Sequence, residues 1–364
     1  MVARTETEKF YVQPLGLLRG FTHCDPSFKN LAGGDIYFSV VKIIRRSPQN
    51  IIEDIVPVCD LKGFLDAKEP SVRAEVISLI KNIESPRHSL SLKNGLVIDW
   101  KKPIIQGVLN VTPDSFSDGG ENADLEQAIL HARQMMDAGA DIIDIGGETT
   151  KPGAKPVSIA DEKSRVLPAI ERIAPLNIPL SIDSRNAGVM KSAILAGAHI
   201  INDVSALSHD PLSLEVVKDE NVPVVLMHSQ GSPDTMQDNP VYEHVLLDIY
   251  DYLESRINLC IEAGIEKNKI IVDPGIGFGK TVEHNLAIIN GLAIFHGLGV
   301  PLLLGTSRKS FIGTIAGEGV AAKRVPGSIA SMLLCLEQGA QIARVHDVEQ
   351  SKQAISIWSA AYGG

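Results

Sequence analysis

Cysteine is scarce in this chain of 364 residues, and what there is lies scattered. Cys24, Cys59, Cys260 and Cys335 are far apart, and no C-x-x-C pair occurs. That removes the usual spacing of a zinc site or a disulfide framework and leaves buried free thiols in a reducing cytosol as the expectation. Long apolar runs are missing too. No stretch approaches the length a transmembrane helix needs, and the opening MVARTETEKFYVQ has no apolar core of signal-peptide length. The expectation is a cytoplasmic protein with no membrane partner. Positive charge is in deficit: 34 lysines and arginines stand against 44 aspartates and glutamates, a formal net charge of −10. So acidic a chain is a poor nonspecific partner for nucleic acid or anionic lipid, although a local basic pocket for an anionic substrate is still allowed. Low-complexity tracts are also lacking.

What the sequence has is a rhythm. Its composition, 44% hydrophobic and 21% charged, is that of an ordinary globular protein. Eight short apolar runs read as strands at 104–109, 141–145, 179–182, 199–201, 222–227, 269–272, 300–305 and 341–345. Segments between them read as helices. Such an alternation predicts an α/β fold, a (β/α)8 TIM barrel, in which the C-terminal strand ends converge on one face. A barrel takes about 250 residues, so residues 88–364 are assigned to it and residues 1–87 to a small α+β N-terminal extension.

In the extension, Ile36 to Ile44 is rich in β-branched and aromatic residues and predicts a strand. Val72, Val76, Leu79, Ile80 and Ile83 recur at helical spacing behind Ser71, a candidate N-cap. No catalytic constellation accompanies them, which points to a structural or interaction role. Two alternating runs between Ser89 and Ile98 flank Asn94-Gly95 and predict a hairpin that covers the N-terminal mouth of the barrel. Among the barrel helices, Leu125, Ile129, Ala132, Met136 and Ala138 form one apolar face capped by Asp124. Ile249, Leu253, Ile257, Cys260 and Ile261 form another.

The apolar runs stop at residues suited to chemistry: Asn110, Gly146-Gly147-Glu148, Asp183, Asn202-Asp203, His228, Asp273, Ser307-Arg308-Lys309, and Arg344 with His346. Segment 110–120 is polar and ends in paired glycines. Segment 146–153, with glycines, Thr149, Thr150 and Lys151, has the makings of an anion cradle. One buried aspartate or asparagine is usually a structural hydrogen-bonder. Three at strand tops, joined by Lys309, form a mixed donor and acceptor set that can read a flat heterocycle with an amino-amide edge, such as a pterin or purine. A general acid/base site is the second reading. A metal cluster fits less well, because no histidine sits among them at ligand spacing. The glycines of Asp273-Pro274-Gly275-Ile276-Gly277-Phe278-Gly279-Lys280 suit close backbone approach to a ring better than a phosphate loop. Arg344 and His346 alternate onto one face and can both meet phosphate oxygens. His228 is assigned a structural role.

Taken together these motifs resemble dihydropteroate synthase of the folate pathway. Segment 110–120 is similar to that family's first active-site loop and 147–154 to its second. Segments 201–203, 273–280, 305–313 and 344–348 follow in the family order, and residues 1–85 lie outside the likeness. The resemblance implies condensation of 6-hydroxymethyl-7,8-dihydropterin diphosphate with 4-aminobenzoate, giving 7,8-dihydropteroate and diphosphate. It implies that Asp183, Asn202, Asp273, Lys309 and Arg344 bind the pterin, with Met227 and Gly277 beside it. It puts Mg²⁺ on Asn110, and the diphosphate on Asn110, Thr150, Lys151, Arg344 and His346. It forms the aminobenzoate pocket from Phe116, Pro152, Lys309 and Ser310. Asn110, Lys309, Arg344 and Asp183 are then the catalytic residues, and a homodimer is the implied assembly. Two other classes stay open: a pterin-binding methyltransferase barrel, which needs no diphosphate site, and a catalytically silent paralogue that serves as a binding partner.

One position departs from the resemblance. The family usually has arginine where this chain has Lys151, and lysine keeps the charge without the planar fork. Lys151→Arg is expected to change the Michaelis constant or the affinity for a sulfonamide. Identical kinetics and inhibitor binding in the two proteins would remove any role for this difference.

Overall fold

The computed structural model describes residues 8–20, 25–111, 121–148, 157–231 and 239–362 of the chain, without the side chains of 121–124. Its amino-terminal part is an antiparallel sheet of β1 (Lys9–Arg19), β2 (Lys29–Asn30), β3 (Ile36–Arg46) and β4 (Ile51–Pro57). β3 is central. It pairs with β1 along one edge, and with β2 and β4 along the other. Helices α1 (Leu61–Asp66) and α2 (Pro70–Glu84) follow.

The expected strand is β3, extended to Arg46. The expected helix is α2, which buries Val76, Leu79, Ile80 and Ile83. Its start differs from the expectation: Glu69 is the N-cap, Pro70 occupies the first turn, and Ser71 lies inside the helix. Proline supplies a preset helical φ there and loses no hydrogen bond, so no hydroxyl cap is needed. The thiols also depart from the expectation. Cys260 and Cys335 are buried, but Cys59 is exposed, because it lies on the one-turn 3-10 segment Val58–Asp60 after an edge strand. Cys24 lies outside the described residues.

The hairpin is present as β5 (Leu90–Ser91) and β6 (Val97–Ile98), with Gly95 at φ +84° in its turn. Its Leu90, Leu92 and Ile98 pack against Ile142, Ile200, Val225, Ile271, Leu303 and Ile342 at the starts of six barrel strands. The N-terminal mouth is thereby plugged with apolar side chains.

Eight parallel strands form the barrel: β7 (Ile104–Asn110), β8 (Ile142–Gly146), β9 (Leu180–Asp183), β10 (Ile200–Asp203), β11 (Val224–Met227), β12 (Ile270–Asp273), β13 (Leu303–Leu304) and β14 (Ile342–Val345). They are hydrogen-bonded in the order β12-β11-β10-β9-β8-β7-β14-β13. A single parallel bridge between Val272 and Leu302 joins the two ends and closes the ring. The strand expected at 300–305 is the shortest one, because this seam has little pairing. Around the barrel lie α3 (Glu121–Asp137), α4 (Ile159–Ile173), α5 (Ala187–Ala196), α6 (Ser213–Glu220), α7 (Val245–Glu262), α8 (Val282–Gly291), α9 (Ser310–Ala316), α10 (Val325–Leu336) and α11 (Val348–Ala361). Two helix details differ from expectation. α3 already contains Asp124, so that residue is not its cap. Ile261 on α7 is exposed, since residues adjacent in a helix point about 100° apart and Cys260 holds the buried position.

The sheet and α2 share one hydrophobic core with the barrel. Tyr11 of β1 meets Tyr250 of α7 edge-on at 5.3 Å, and Tyr250 stacks on Phe295. Buried Arg87 donates to the carbonyls of Asn82 and Ser85 on one side and of His296 on the other.

Candidate active site

Parallel register sets the first row of the site. Asn110 lies opposite Gly146, Gly146 opposite Asp183, and Asp183 opposite Asn202, so the ends of four successive strands stand in line. Gly146 leaves open the space between its neighbours. A Cβ there would lie 3.6 Å from Asn110 Oδ1 and 3.7 Å from Asp183 Oδ2. Met227 pairs in register with Asp273 further round the ring.

The centre of the site is an arginine held by two carboxylates. Arg344 donates from Nε to Asp144 Oδ2 at 2.6 Å and from Nη2 to Asp183 Oδ2 at 2.7 Å. Asp144 is fully buried. It also accepts from Asn202 Nδ2 at 3.1 Å and from Ser181 Oγ, which in turn accepts from Gln106 Nε2. This network orients the Asn202 amide nitrogen toward Asp144. Burial holds the Asp183 carboxyl above the usual range, against the pull of the Arg344 guanidinium. The sequence reading missed Asp144. A carboxylate inside the run Ile142-Ile143-Asp144-Ile145 cannot stay buried without a partner, and that was the available signal. Asp347, the simplest alternative partner for Arg344, is instead taken by a fork from Arg308. Asp203 takes no part. Its carboxylate accepts from Ser205 and Leu207 and shapes the turn after β10.

Across the ring, Asp273 Oδ1 accepts from Gly275 N at 2.7 Å. Asp273 and Lys309 interact electrostatically, and Arg344 acts on both. Burial, together with the positive charge of Arg344, pushes the Lys309 ammonium down to about 8. Its Nζ sits 3.8 Å from the centre of the Phe278 ring, a cation–π contact. A Cβ on Gly277 would come within 2.9 Å of Lys309 Cδ, so the glycine turn lies directly on the lysine stem. Ser310 is the first residue of α9 and is exposed.

The glycine turn is fastened below. Gly275, Gly277 and Gly279 all have positive φ. Buried Lys280 donates to His228 Nδ1 at 2.9 Å and to Phe278 O at 2.9 Å, so His228 has the structural role expected of it. Burial and the Lys280 charge push His228 down to about 2, which keeps it neutral. At φ +71°, a Cβ on Gly275 would lie 1.9 Å from His228 O. Gly275→Ala is therefore expected to cost at least about 2 kcal/mol, from strain and overpacking together. Urea denaturation checks this, and an unchanged midpoint would contradict the geometry.

His346 completes the rim. The Ser307 hydroxyl accepts from His346 N at 3.2 Å and lies 3.0 Å from Nδ1. Burial and the charges of Arg344, Arg308 and Lys309 push this imidazole down to about 3. Held neutral, it can accept from Ser307 at Nδ1 and so present Nε2–H to an anion. The remaining expected residues, Phe116, Thr150, Lys151 and Pro152, lie outside the described residues. Near them, Glu148 is engaged by Arg185. Among the described residues no group of three or more His, Cys, Asp or Glu could hold a metal by itself.

Chemically, this is a face of fixed donors and acceptors around a half-buried guanidinium and a half-buried ammonium. Residues 106–346 match a family model described as pterin binding enzyme. The dihydropteroate synthase of Escherichia coli (strain K12) is 45% identical over 264 residues, spanning 72% of this chain and 93% of that one. A solved structure of Xanthomonas albilineans dihydropteroate synthase with 4-aminobenzoic acid matches with a TM-score of 0.72 at 42% identity, over 76% of this chain and 98% of that one. The X. albilineans enzyme in complex with 7,8-dihydropteroate gives a TM-score of 0.69 at 39% identity, over 76% and 100%. With a similar fold and relatives matched over nearly their whole length, this chain belongs to the dihydropteroate synthase family of pterin-binding enzymes.

Proposed function

We propose that the chain condenses 6-hydroxymethyl-7,8-dihydropterin diphosphate with 4-aminobenzoate to 7,8-dihydropteroate and diphosphate. The observation that carries this reading is the gathering of Asp183, Asn202, Asp273, Lys309 and Arg344, buried or half-buried, on one barrel face, alongside family membership. Asp183, Asp273 and the Asn202 carbonyl accept from the amino and ring N–H groups of the pterin. Lys309 donates to its ring oxygen or nitrogen, and Met227 and Gly277 lie against its faces. Arg344 stacks on or beside the ring and, with His346, Thr150 and Lys151, receives the diphosphate oxygens. Phe116, Pro152, Lys309 and Ser310 hold the aminobenzoate, with Ser310 toward its carboxylate.

Diphosphate leaves easily only if its growing negative charge is met. Arg344 and the neutral donor His346 stand ready for it, while the C–O bond to the pterin methylene breaks. The aniline nitrogen then attacks that electron-poor carbon and gives up its proton to solvent or to the departing diphosphate. No covalent nucleophile is required. Mg²⁺ belongs to the same proposal. Asn110 Oδ1 and Asp183 Oδ2 border the small space above Gly146, which suits a hard cation that keeps waters and substrate phosphates as its other ligands. When bound, Mg²⁺ supplies further charge neutralisation for the leaving group.

A homodimer working in the cytoplasm, with residues 1–87 as an extension of a barrel at 88–364, is part of this proposal. Among the described residues no single helix is long and apolar enough to cross a membrane. The methyltransferase alternative is not favoured, and one assay separates the two. Given a methylated reduced folate and a corrinoid acceptor, the protein is expected to transfer no methyl group. Methyl transfer would overturn the reading.

A further inference from the structure

The family match begins at residue 106, so it does not account for the amino-terminal sheet. That sheet is more than packed on the barrel. Arg46, the last residue of β3, reaches α7 with a guanidinium that is only 19% exposed. It donates from Nη1 to Asp248 Oδ1 at 2.6 Å, and it also pairs with Glu243. The other oxygen of Asp248 accepts from the backbone N–H groups of Glu243 at 2.8 Å and His244 at 3.1 Å. These residues end the connection that runs from Met227 and His228 to α7. Their neighbour Tyr242 donates from its hydroxyl to Gly279 O at 2.7 Å. Gly279 belongs to the glycine turn that rests on Lys309 and carries Gly277. Tyr242 also lies 5.9 Å, ring to ring, from His228 beneath that turn. A path of charge-assisted and neutral hydrogen bonds, with one covalent backbone step from Glu243 to Tyr242, thus runs from the sheet to the turn.

We propose that the amino-terminal sheet is a positioning element of the pterin pocket, and that Arg46, Asp248 and Tyr242 are its positioning residues. The proposal rests on the pterin reading of the site. In it, Asp248 holds the 242–244 segment, Arg46 holds the carboxylate of Asp248 against that segment, and Tyr242 fixes the height of the Gly275–Lys280 turn over the ring. The effect falls on the pterin substrate. Phe116, Pro152 and Ser310 of the aminobenzoate reading belong to other segments, Lys309 is shared with the pterin, and the chemical step uses none of the three side chains.

The same sheet offers an internal control. Lys9 of β1 also pairs with α7, through Asp251 and Glu254. Neither carboxylate accepts from the 242–244 backbone, although Asp251 Oδ2 also lies 3.5 Å from Arg46 Nη1. Lys9→Met therefore weakens the docking of the sheet while leaving the Arg46–Asp248 bond in place.

The test is steady-state kinetics of the full chain, with dihydropterin diphosphate and 4-aminobenzoate varied separately, on Arg46→Met, Tyr242→Phe, their double variant and Lys9→Met. The expected result for Arg46→Met and Tyr242→Phe is a KM for the pterin substrate raised about three- to tenfold, the worth of one hydrogen bond. The KM for aminobenzoate and the kcat stay unchanged. The double variant is no worse than the poorer single one, because both cut one path, and Lys9→Met retains the wild-type KM. Equal pterin KM values in Arg46→Met and wild type would overturn the proposal. So would an effect of Lys9→Met equal to that of Arg46→Met, or full additivity in the double variant. Calorimetric titration of the wild-type chain with dihydropterin diphosphate separates this from the reading beneath it. No binding by wild type sinks the pterin reading itself, and wild-type binding with unaltered binding in Arg46→Met sinks only the positioning role.

Discussion

Arg344→Met is expected to destabilise the chain by about 3–5 kcal/mol, because it leaves two buried carboxylates without their cation. Asp144 is wholly inaccessible and the Asp183 side chain is 11% exposed, and each receives a short charge-assisted bond from the guanidinium. Methionine fills much of the volume, so the loss is electrostatic rather than a cavity. Against a typical total of about 5–15 kcal/mol, the variant should populate unfolded chains at modest urea. The dependence on pH has a definite sign. Asp183 is already held above its usual range by burial, and losing Arg344 raises it further. The folded variant then binds more protons than the unfolded chain between the ordinary carboxylate value and the raised one. Stability therefore falls as pH rises through that window and recovers as pH falls. Urea titrations of both proteins at pH 5.5 and pH 8 check this. A deficit under about 1 kcal/mol at pH 8, on the scale of an exposed ion pair, would show that the buried pair does not hold the strand ends together.

Asp273→Asn is expected to lower kcat/KM by on the order of a hundredfold or more with little loss of fold. Oδ1 of Asp273 already accepts from the backbone N–H of Gly275. An amide can keep that bond through its own oxygen, so the glycine turn stays in place. The other oxygen becomes an N–H₂ group, a donor set against the ring donors that a carboxylate would accept. One charge-assisted bond lost and one buried donor left unmet amount to about 3–5 kcal/mol. The loss should lie in kcat/KM and in direct binding of the pterin substrate, with the unfolding midpoint close to wild type. Wild-type kinetics in Asp273→Asn would remove this residue from pterin recognition.

Much of this site is written where each strand ends. Asp183, Asn202, Asp273 and Lys309 are polar stops after apolar runs, and a parallel barrel gathers such stops on one face. Their convergence followed from the βα alternation alone. Asp144 was hidden because it interrupts a run instead of ending one, and a period-two alternation absorbs a single polar residue without comment. Its partner Arg344 lies 200 residues away, a distance no local pattern spans. The extension was the less legible part. β1 carries Pro14 and Gly16, which read as strand breakers. Yet Gly16 adopts a positive φ, and a Cβ there would lie 2.4 Å from Ser39 Oγ, so glycine lets the pairing with β3 continue past this point. The Arg46–Asp248–Tyr242–Gly279 path depends on how two layers dock, and spacing along the chain carries no trace of it.

The most direct test of the account is turnover by the purified chain with dihydropterin diphosphate, 4-aminobenzoate and Mg²⁺, following dihydropteroate. The predicted result is product formation that requires both substrates and is strengthened by Mg²⁺, with Asp273→Asn folded and nearly inactive beside it. Pterin binding without condensation by well-folded protein would contradict the account and leave a barrel that recognises the ring without performing the transfer.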